Sequence, residues 1–205
     1  MPRVTKEQAG RNRSAITEAS ARLFRERGLK GVSVADLMAA AGLTHGGFYG
    51  HFDSKDAVAA EACAAAFERS ARRWRKRLCA GARRGAAKAA LVEGYLSGRS
   101  RARPGTSCPA AALAADVARE AHDAPIRATY AAGVAGLLEI LATAQPSGDA
   151  AADRHAAAAD FAVMVGAMVL ARATAGHPLS DEFLRAARER LGAPPARSAP
   201  QRMEP

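Results

Sequence analysis

Between Ser33 and Lys55 the chain signals the start of a helix three times, and so crowded a stretch leaves room for little but short helices joined by tight turns. Ser33-Val34-Ala35-Asp36 has the spacing of a capping box: the serine oxygen accepts from the amide three residues on, and the acidic side chain returns to the serine amide. The helix it opens carries Val34, Leu37, Met38 and Ala41 on one face. Gly42 breaks it, Leu43 is an apolar anchor, and Thr44 stands at the N-cap of a second short helix, THGGFYGHF, which buries Phe48 and Phe52. Asp53-Ser54 then opens a long helix at about Lys55. Two short helices joined by about three residues including a glycine form a helix-turn-helix. Upstream, Thr5 and Gln8 make another capping box, Ile16, Ala19, Leu23 and Phe24 recur at helical spacing, and Gly28 is placed as a left-handed cap.

The remainder reads as longer helices. The fourth runs from Lys55 to about Cys79 or Ala80, and the fifth from about Ala82 to Leu96. Ser97–Ser107, rich in Gly, Ser, Arg and Pro, reads as a loop. Pro109 and Pro125 suit the first position of a sixth helix, to about Ala121, and a seventh, to about Ala144. After Gln145–Asp149 an eighth spans about Ala151 to Ala175, and Ser180 caps a ninth that Gly192 closes. His122 and Asp123 read as N-terminal capping of the seventh. Alanine is roughly a quarter of the 205 residues and favours helix over strand; no alternating β-branched pattern occurs. The expected fold is all-α with about nine helices: an N-terminal three-helix unit over 1–54, a C-terminal helical ligand-binding and dimerisation domain over 55–192, and a disordered tail over 193–205.

Charge narrows the partners. The net charge is +10, which favours an anionic partner such as nucleic acid. The charge is uneven: residues 69–103 hold twelve Lys/Arg against one acid, whereas residues 104–205 hold nine against eleven. A GC-rich genome would raise Arg and Ala everywhere and does not account for that partition. Cys63, Cys79 and Cys108 are an odd set without a CxxC pair, and the five histidines show no ligand spacing with them. No metal and no cofactor are expected. The longest apolar run, Phe161–Ala171, has eleven residues, short of the roughly 20 a membrane span needs. The N-terminus lacks the apolar stretch of a secretory signal, so a cytoplasmic location is expected. There is no GxxxxGK[ST], HExxH or GxSxG, so enzymatic activity is not expected.

Ser33–Val58, SVADLMAAAGLTHGGFYGHFDSKDAV, resembles the DNA-binding segment of the TetR/AcrR transcriptional regulators. The matching features are the AG-hydrophobic turn, the small residue in the third helix, the Phe-Tyr pair, His-Phe, and the Ser-Lys-acidic start of the next helix. The resemblance covers roughly Gln8 to Glu61. It implies a bacterial, homodimeric repressor bound to a double-stranded DNA operator and released by an unknown small-molecule effector. The expected DNA-contacting residues are Ser33, Thr44, His45, Gly46, Gly47, Tyr49, Gly50, His51 and Lys55. Thr44 and His45 sit at a helix N-terminus, where amide groups favour phosphate, and His45 reaches for a base edge. Tyr49, His51 and Lys55 are phosphate contacts by carry-over from the family. Three glycines in one short helix are costly unless the backbone must approach something closely. Arg3, Lys6, Arg11 and Arg13 read either as a minor-groove arm or as a basic tail.

Phe67, Trp74, Leu91, Tyr95, Cys108, Leu113, Val117, Met164 and Met168 are candidates for an effector pocket, with plain core as the other reading. Phe161, Val165, Met168 and Val169 on the eighth helix, with Phe183, Leu184, Ala187 and Leu191 on the ninth, are expected at a dimer interface. The cluster Arg69, Arg72, Arg73, Arg75, Lys76, Arg77, Arg83, Arg84 and Lys88 reads as a solvated face, a DNA-backbone patch or an anion site, the first being favoured. Cys108 is either a buried, inert thiol or a sensor of electrophiles. A constitutive or architectural DNA-binding protein without effector control is the alternative to the ligand-responsive regulator.

Overall fold

The computed structural model describes residues 5–80, 84–144 and 146–192. Local signals place most helices. α1 (Lys6–Arg27) starts at Thr5, whose side chain accepts from the Gln8 amide. Its last turn closes on Gly28, whose amide donates to the Phe24 carbonyl. Gly28 has φ 77° and ψ 166°, so it takes the positive φ that suits glycine without the helical ψ of the expected left-handed cap. α2 (Val34–Ala40) has the complete Ser33/Asp36 capping box. α3 (Lys55–Ala80) is the long connecting helix, followed by α4 (Arg84–Tyr95). α6 (Pro109–Arg119) and α7 (Pro125–Ala142) each begin on proline, and α8 (Ala150–Ala173) and α9 (Leu179–Arg190) complete the chain.

Several expectations need correction. The expected loop after α4 contains α5 (Gly98–Ala102) and a 3-10 turn, Pro104–Thr106. Ser97 caps α5 by accepting from the Ser100 amide at 3.2 Å. Ser180 does not cap α9. It is buried inside the first turn, donates its hydroxyl to the Ala171 carbonyl and accepts from Arg101 at 2.6 Å, tying α9 to α8 and α5. His122 and Asp123 do not cap α7; Arg127 instead donates to the Glu120 and Ala118 carbonyls, both at 2.9 Å. The second helix of the helix-turn-helix is a 3-10 helix, His45–Gly50, and Thr44 makes no side-chain cap bond. Residues 193–205, the expected tail, lie outside the described residues.

Apolar burial then assembles the elements. Ile16, Phe24, Val32, Leu37, Met38 and Phe48 are essentially inaccessible and hold α1, α2 and the 3-10 helix together. The core continues without a break through Val58, Phe67 and Trp74 of α3 to Leu137 of α7, Met164 of α8 and Leu184 of α9. α3 packs chiefly on α7, and α8 lies between α7 and α9. Close approach of α3 to α7 depends on Gly133, where a Cβ would overlap the Phe67 ring. All described regular structure is helical.

Candidate nucleic-acid interface and its coupled cleft

The 3-10 helix is pinned from beneath and open from above. Phe48 is fully buried, Phe52 is 3% exposed, and the two rings stack with centroids 5.9 Å apart. Tyr49 points the other way and is 72% exposed. Thr44, His45, Gly46, Gly47 and Gly50 are exposed, and His51 is half-buried. None of the three glycines has a positive φ. A Cβ at Gly46 or Gly50 would meet nothing within 4 Å, and one at Gly47 would make only an ordinary contact with Met38. The protein's own packing therefore gives no reason for glycine at Gly46 and Gly50. The face they form is bare backbone, suited to close approach by an external surface.

Two elements brace this face. Arg13 of α1 donates to the His51 carbonyl, pairs with Glu61 of α3, and lies over the Phe52 ring at 4.1 Å. Thr17 donates to the same glutamate at 2.7 Å. Arg13 is thus a clamp holding the end of the 3-10 helix between α1 and α3, not a residue of a free arm. Lys6 and Arg11 are also helical, Arg11 pairing with Glu7; Arg3 lies outside the described residues. Ser33 is exposed, but its hydroxyl donates to Asp36 at 2.6 Å and accepts from the Asp36 amide, so the cap already employs it. Those bonds hold the Asp36 carboxyl below its ordinary range. Lys55 opens α3 half-buried, in a crevice of about 120 Å³ with Lys30, Asp56 and Glu120.

Far along α3 lies a second feature that sequence reasoning captured only in part. A cleft of about 350 Å³ is lined by Trp74, Tyr95 and Cys108, three of the expected pocket residues, together with Arg73, Arg77, Arg99, Arg103 and hydroxyl-bearing residues of the α5–α6 connector. Met168 does not line it, and borders instead a separate small pocket of about 20 Å³ with Tyr95 and Cys108. Leu91, Leu113, Val117 and Met164 instead pack in the core. Phe67 borders a separate, more apolar groove of about 600 Å³ between α3 and α7. Arg99 and Arg103 escaped notice because their segment reads as a loop.

The connector joins this cleft to the helix-turn-helix. The Ser107 carbonyl accepts from Arg25 of α1 at 2.7 Å, while its hydroxyl accepts from Arg172 of α8. Burial lowers the Arg25 guanidinium to a pKa of about 10, with Arg69 and Arg73 adding repulsion. A second cleft, of about 460 Å³ between α1 and α3, shares Arg73 and Thr106 with the first. The Cys108 thiol is buried and its pKa is raised by that burial, which fits an inert thiol and not a reactive one. The Cys63 thiol is likewise pushed up to about 12.

The expected interface residues divide. Val169 is 39% exposed, and Val165 and Phe183 are partly buried. Phe161, Met168, Leu184, Ala187 and Leu191 point into the protomer core. The outward apolar stripe of α8 is carried by Val163, Val169 and Leu170, the last 46% exposed, with Gly166 among them. α8 is long and apolar enough to cross a membrane by length and composition. It is, however, packed against α7 and α9, and its Asp160 pairs with Lys88 at 2.6 Å.

Comparison with known proteins agrees with this geometry. Residues 16–62 match the family described as bacterial regulatory proteins, tetR family. The HTH-type transcriptional regulator TtgR of Pseudomonas putida is 44% identical over 55 residues, 27% of this chain and 26% of that protein. The HTH-type transcriptional repressor KstR2 of Rhodococcus jostii is 42% identical over 57 residues, 28% of each chain. The match thus spans about a quarter of the length of these curated relatives. The fold extends the likeness. A TetR transcriptional regulator from Chloroflexus aurantiacus superposes with TM-score 0.71 and 26% identity, covering 90% of this chain and 94% of its own. A TetR-family regulator from Cytophaga hutchinsonii gives 0.74 at 23% identity, covering 96% and 100%. Escherichia coli NemR in its reduced form gives 0.73 at 21%, covering 88% and 94%. The helix-turn-helix segment, residues 16–62, is thus of the tetR family by sequence, and the helical body behind it shares the fold of TetR-family regulators.

Proposed function

We propose that the protein is a homodimeric repressor that binds a pseudo-palindromic DNA operator and is released by a small-molecule effector. The observation that carries this reading is the bare, outward face of the 3-10 helix, seated on Phe48 and Phe52 and matched in sequence to DNA-binding regulators. In this reading His45 reads a base edge, Thr44, Tyr49 and His51 meet phosphates, and Gly46, Gly47 and Gly50 let the backbone lie close to the groove wall. Ser33 contributes by fixing α2, and Lys55 by adding charge beside the phosphates. Domain boundaries near 54 and 192 follow from these roles.

A second copy of the chain covers the outward stripe Val163, Val169 and Leu170, so that α8 and α9 of two subunits form a four-helix contact. The recognition segments then face successive major grooves, about 34–36 Å apart or somewhat more. The cleft beside the connector receives the effector. Its volume falls within the usual range for ligand sites, which favours effector control over an architectural role. Because Ser107 bonds to α1, an effector that prefers a displaced connector also prefers a displaced helix-turn-helix, and a coupling of about 1–3 kcal/mol suffices. Selection of bound DNA from a random pool tests the reading: enrichment of an inverted repeat supports it, and recovery of unrelated sequences at physiological salt overturns it.

A further inference from the structure

We propose that the cleft between the second half of α3, α4 and the α5–α6 connector is an anion site, and that the effector class it takes is a small molecule with an aromatic or apolar body and a carboxylate, sulfonate or phosphate group. The effector role rests on the regulator reading above; the anion site itself does not.

Arg73, Arg77, Arg99 and Arg103 border the cleft, and no carboxylate lines it. None of the four forms an ion pair with an acid among the described residues. Arg73 spends one N–H on the Ser70 hydroxyl at 3.0 Å. The Arg77 guanidinium packs so closely over Gly94 that a Cβ there would meet it at 2.7 Å. Like charges are thus gathered around a concave space with nothing of opposite sign to relieve them, an arrangement that an incoming oxyanion stabilises by forked, charge-assisted hydrogen bonds.

The floor of the cleft supplies an independent sign of a ligand. Tyr95 is 5% exposed and lines the space; its hydroxyl lies against the Cys108 thiol, a weak partner, and makes no well-formed hydrogen bond among the described residues. A buried hydroxyl so weakly satisfied is costly. Its ring meets Trp74 edge-on with centroids 6.0 Å apart, so the site pairs an aromatic floor and a weakly satisfied hydroxyl with a cationic rim. Partial burial lowers the Arg73 pKa, and repulsion from Arg77, Arg69 and Arg72 adds to it, a stress that a bound anion would relieve.

DNA is not the anion. Arg73 and Arg77 stand eighteen and twenty-two residues beyond Lys55 on one helix, or about 27–33 Å along its axis. A phosphate at the 3-10 helix is therefore out of reach.

Trp74 is the single tryptophan and gives the test. Energy transfer from Trp74 is followed on titrating the full-length protein with anilinonaphthalenesulfonate, and with phenylnaphthylamine, the same body without its charge. The sulfonate should bind at least tenfold more tightly, and added salt should weaken it. Arg99→Gln with Arg103→Gln, two exposed side chains, should cut sulfonate affinity about tenfold and leave the neutral probe unchanged, with helicity intact. Equal affinity for both probes, or a sulfonate unaffected by losing these arginines, overturns the anion site. DNA binding by the same samples separates the two claims. Operator bound without sulfonate preference leaves the regulator reading standing and removes the inference. Sulfonate preference without any DNA binding does the reverse.

Discussion

Glycine is a poor residue for a helix that has only to hold itself together. Each costs about 0.8–1 kcal/mol relative to alanine in a helix interior, and here two of the three occupy positions where a methyl group would touch nothing. With those side chains absent, base reading in the proposed DNA interface falls to His45, with Thr44 in support and DNA shape supplying the rest. His45→Ala should therefore relax discrimination at one base pair in each half-site, measured on operators varied base by base. A uniform loss on every sequence would contradict direct readout. Lys55 is different, because its charge and not its shape is at issue. Lys55→Ala should weaken binding to all sequences alike and lower the salt slope by about one; an unchanged slope would remove its phosphate role.

At the scale of elements, what could be read in the sequence was what is local. Thr5, Ser33, Pro109 and Pro125 mark helix starts because a cap or a missing amide acts within one turn. The α2 cap makes a measurable prediction. Ser33→Ala should cost about 1 kcal/mol of stability in denaturant titration at neutral pH. Because the folded Asp36 pKa is depressed, its contribution is present above the ordinary aspartate value and is lost as pH falls through the folded one. Wild type and Asp36→Asn should therefore converge in stability at strongly acid pH; a gap that persists there would show that the carboxylate is not the source.

What is not local stayed hidden. α5 forms because Ser97 and Ser100 together satisfy each other and the Gly94 carbonyl, inside a segment whose composition reads as loop. α8 has apolar residues on every side, so its periodicity could not say which side faces the core. Phe161 and Met168 went inward and Leu170 outward. The clamp of Arg13 on His51 and Glu61 spans contacts of thirty-eight and forty-eight residues, beyond the reach of any local pattern. Pocket and core were likewise indistinguishable by residue type, since Leu91 and Trp74 are both apolar and only the second borders space.

Across the whole molecule, charge and apolar surface divide the work. The bare 3-10 face, the arginine-rimmed cleft and the apolar stripe of α8 lie on different elements, as the proposed roles in meeting DNA, effector and a second copy require. If α8 carries the proposed dimer contact, Leu170→Glu with Val163→Glu should give a monomer in analytical ultracentrifugation where the parent is dimeric, and weaken operator binding at least tenfold; an unchanged mass would move the interface elsewhere. Burial also orders the thiols. Cys79 is exposed, whereas Cys63 and Cys108 are buried with raised pKa values. An aromatic disulfide reagent near pH 8 should modify one cysteine rapidly and the other two only on unfolding. Fast modification of Cys108 in the native protein would revive a sensing role for it.

The proposed DNA-reading face depends on glycine at Gly46 and Gly50, and substituting each by alanine measures that directly. With negative φ and open space at both, each alanine should raise folding stability by about 0.4–1 kcal/mol while weakening operator binding in the same samples. Alanine variants that are more stable and bind the operator as tightly as the parent would mean that no groove wall approaches this backbone, and the DNA-reading face would have to be sought elsewhere.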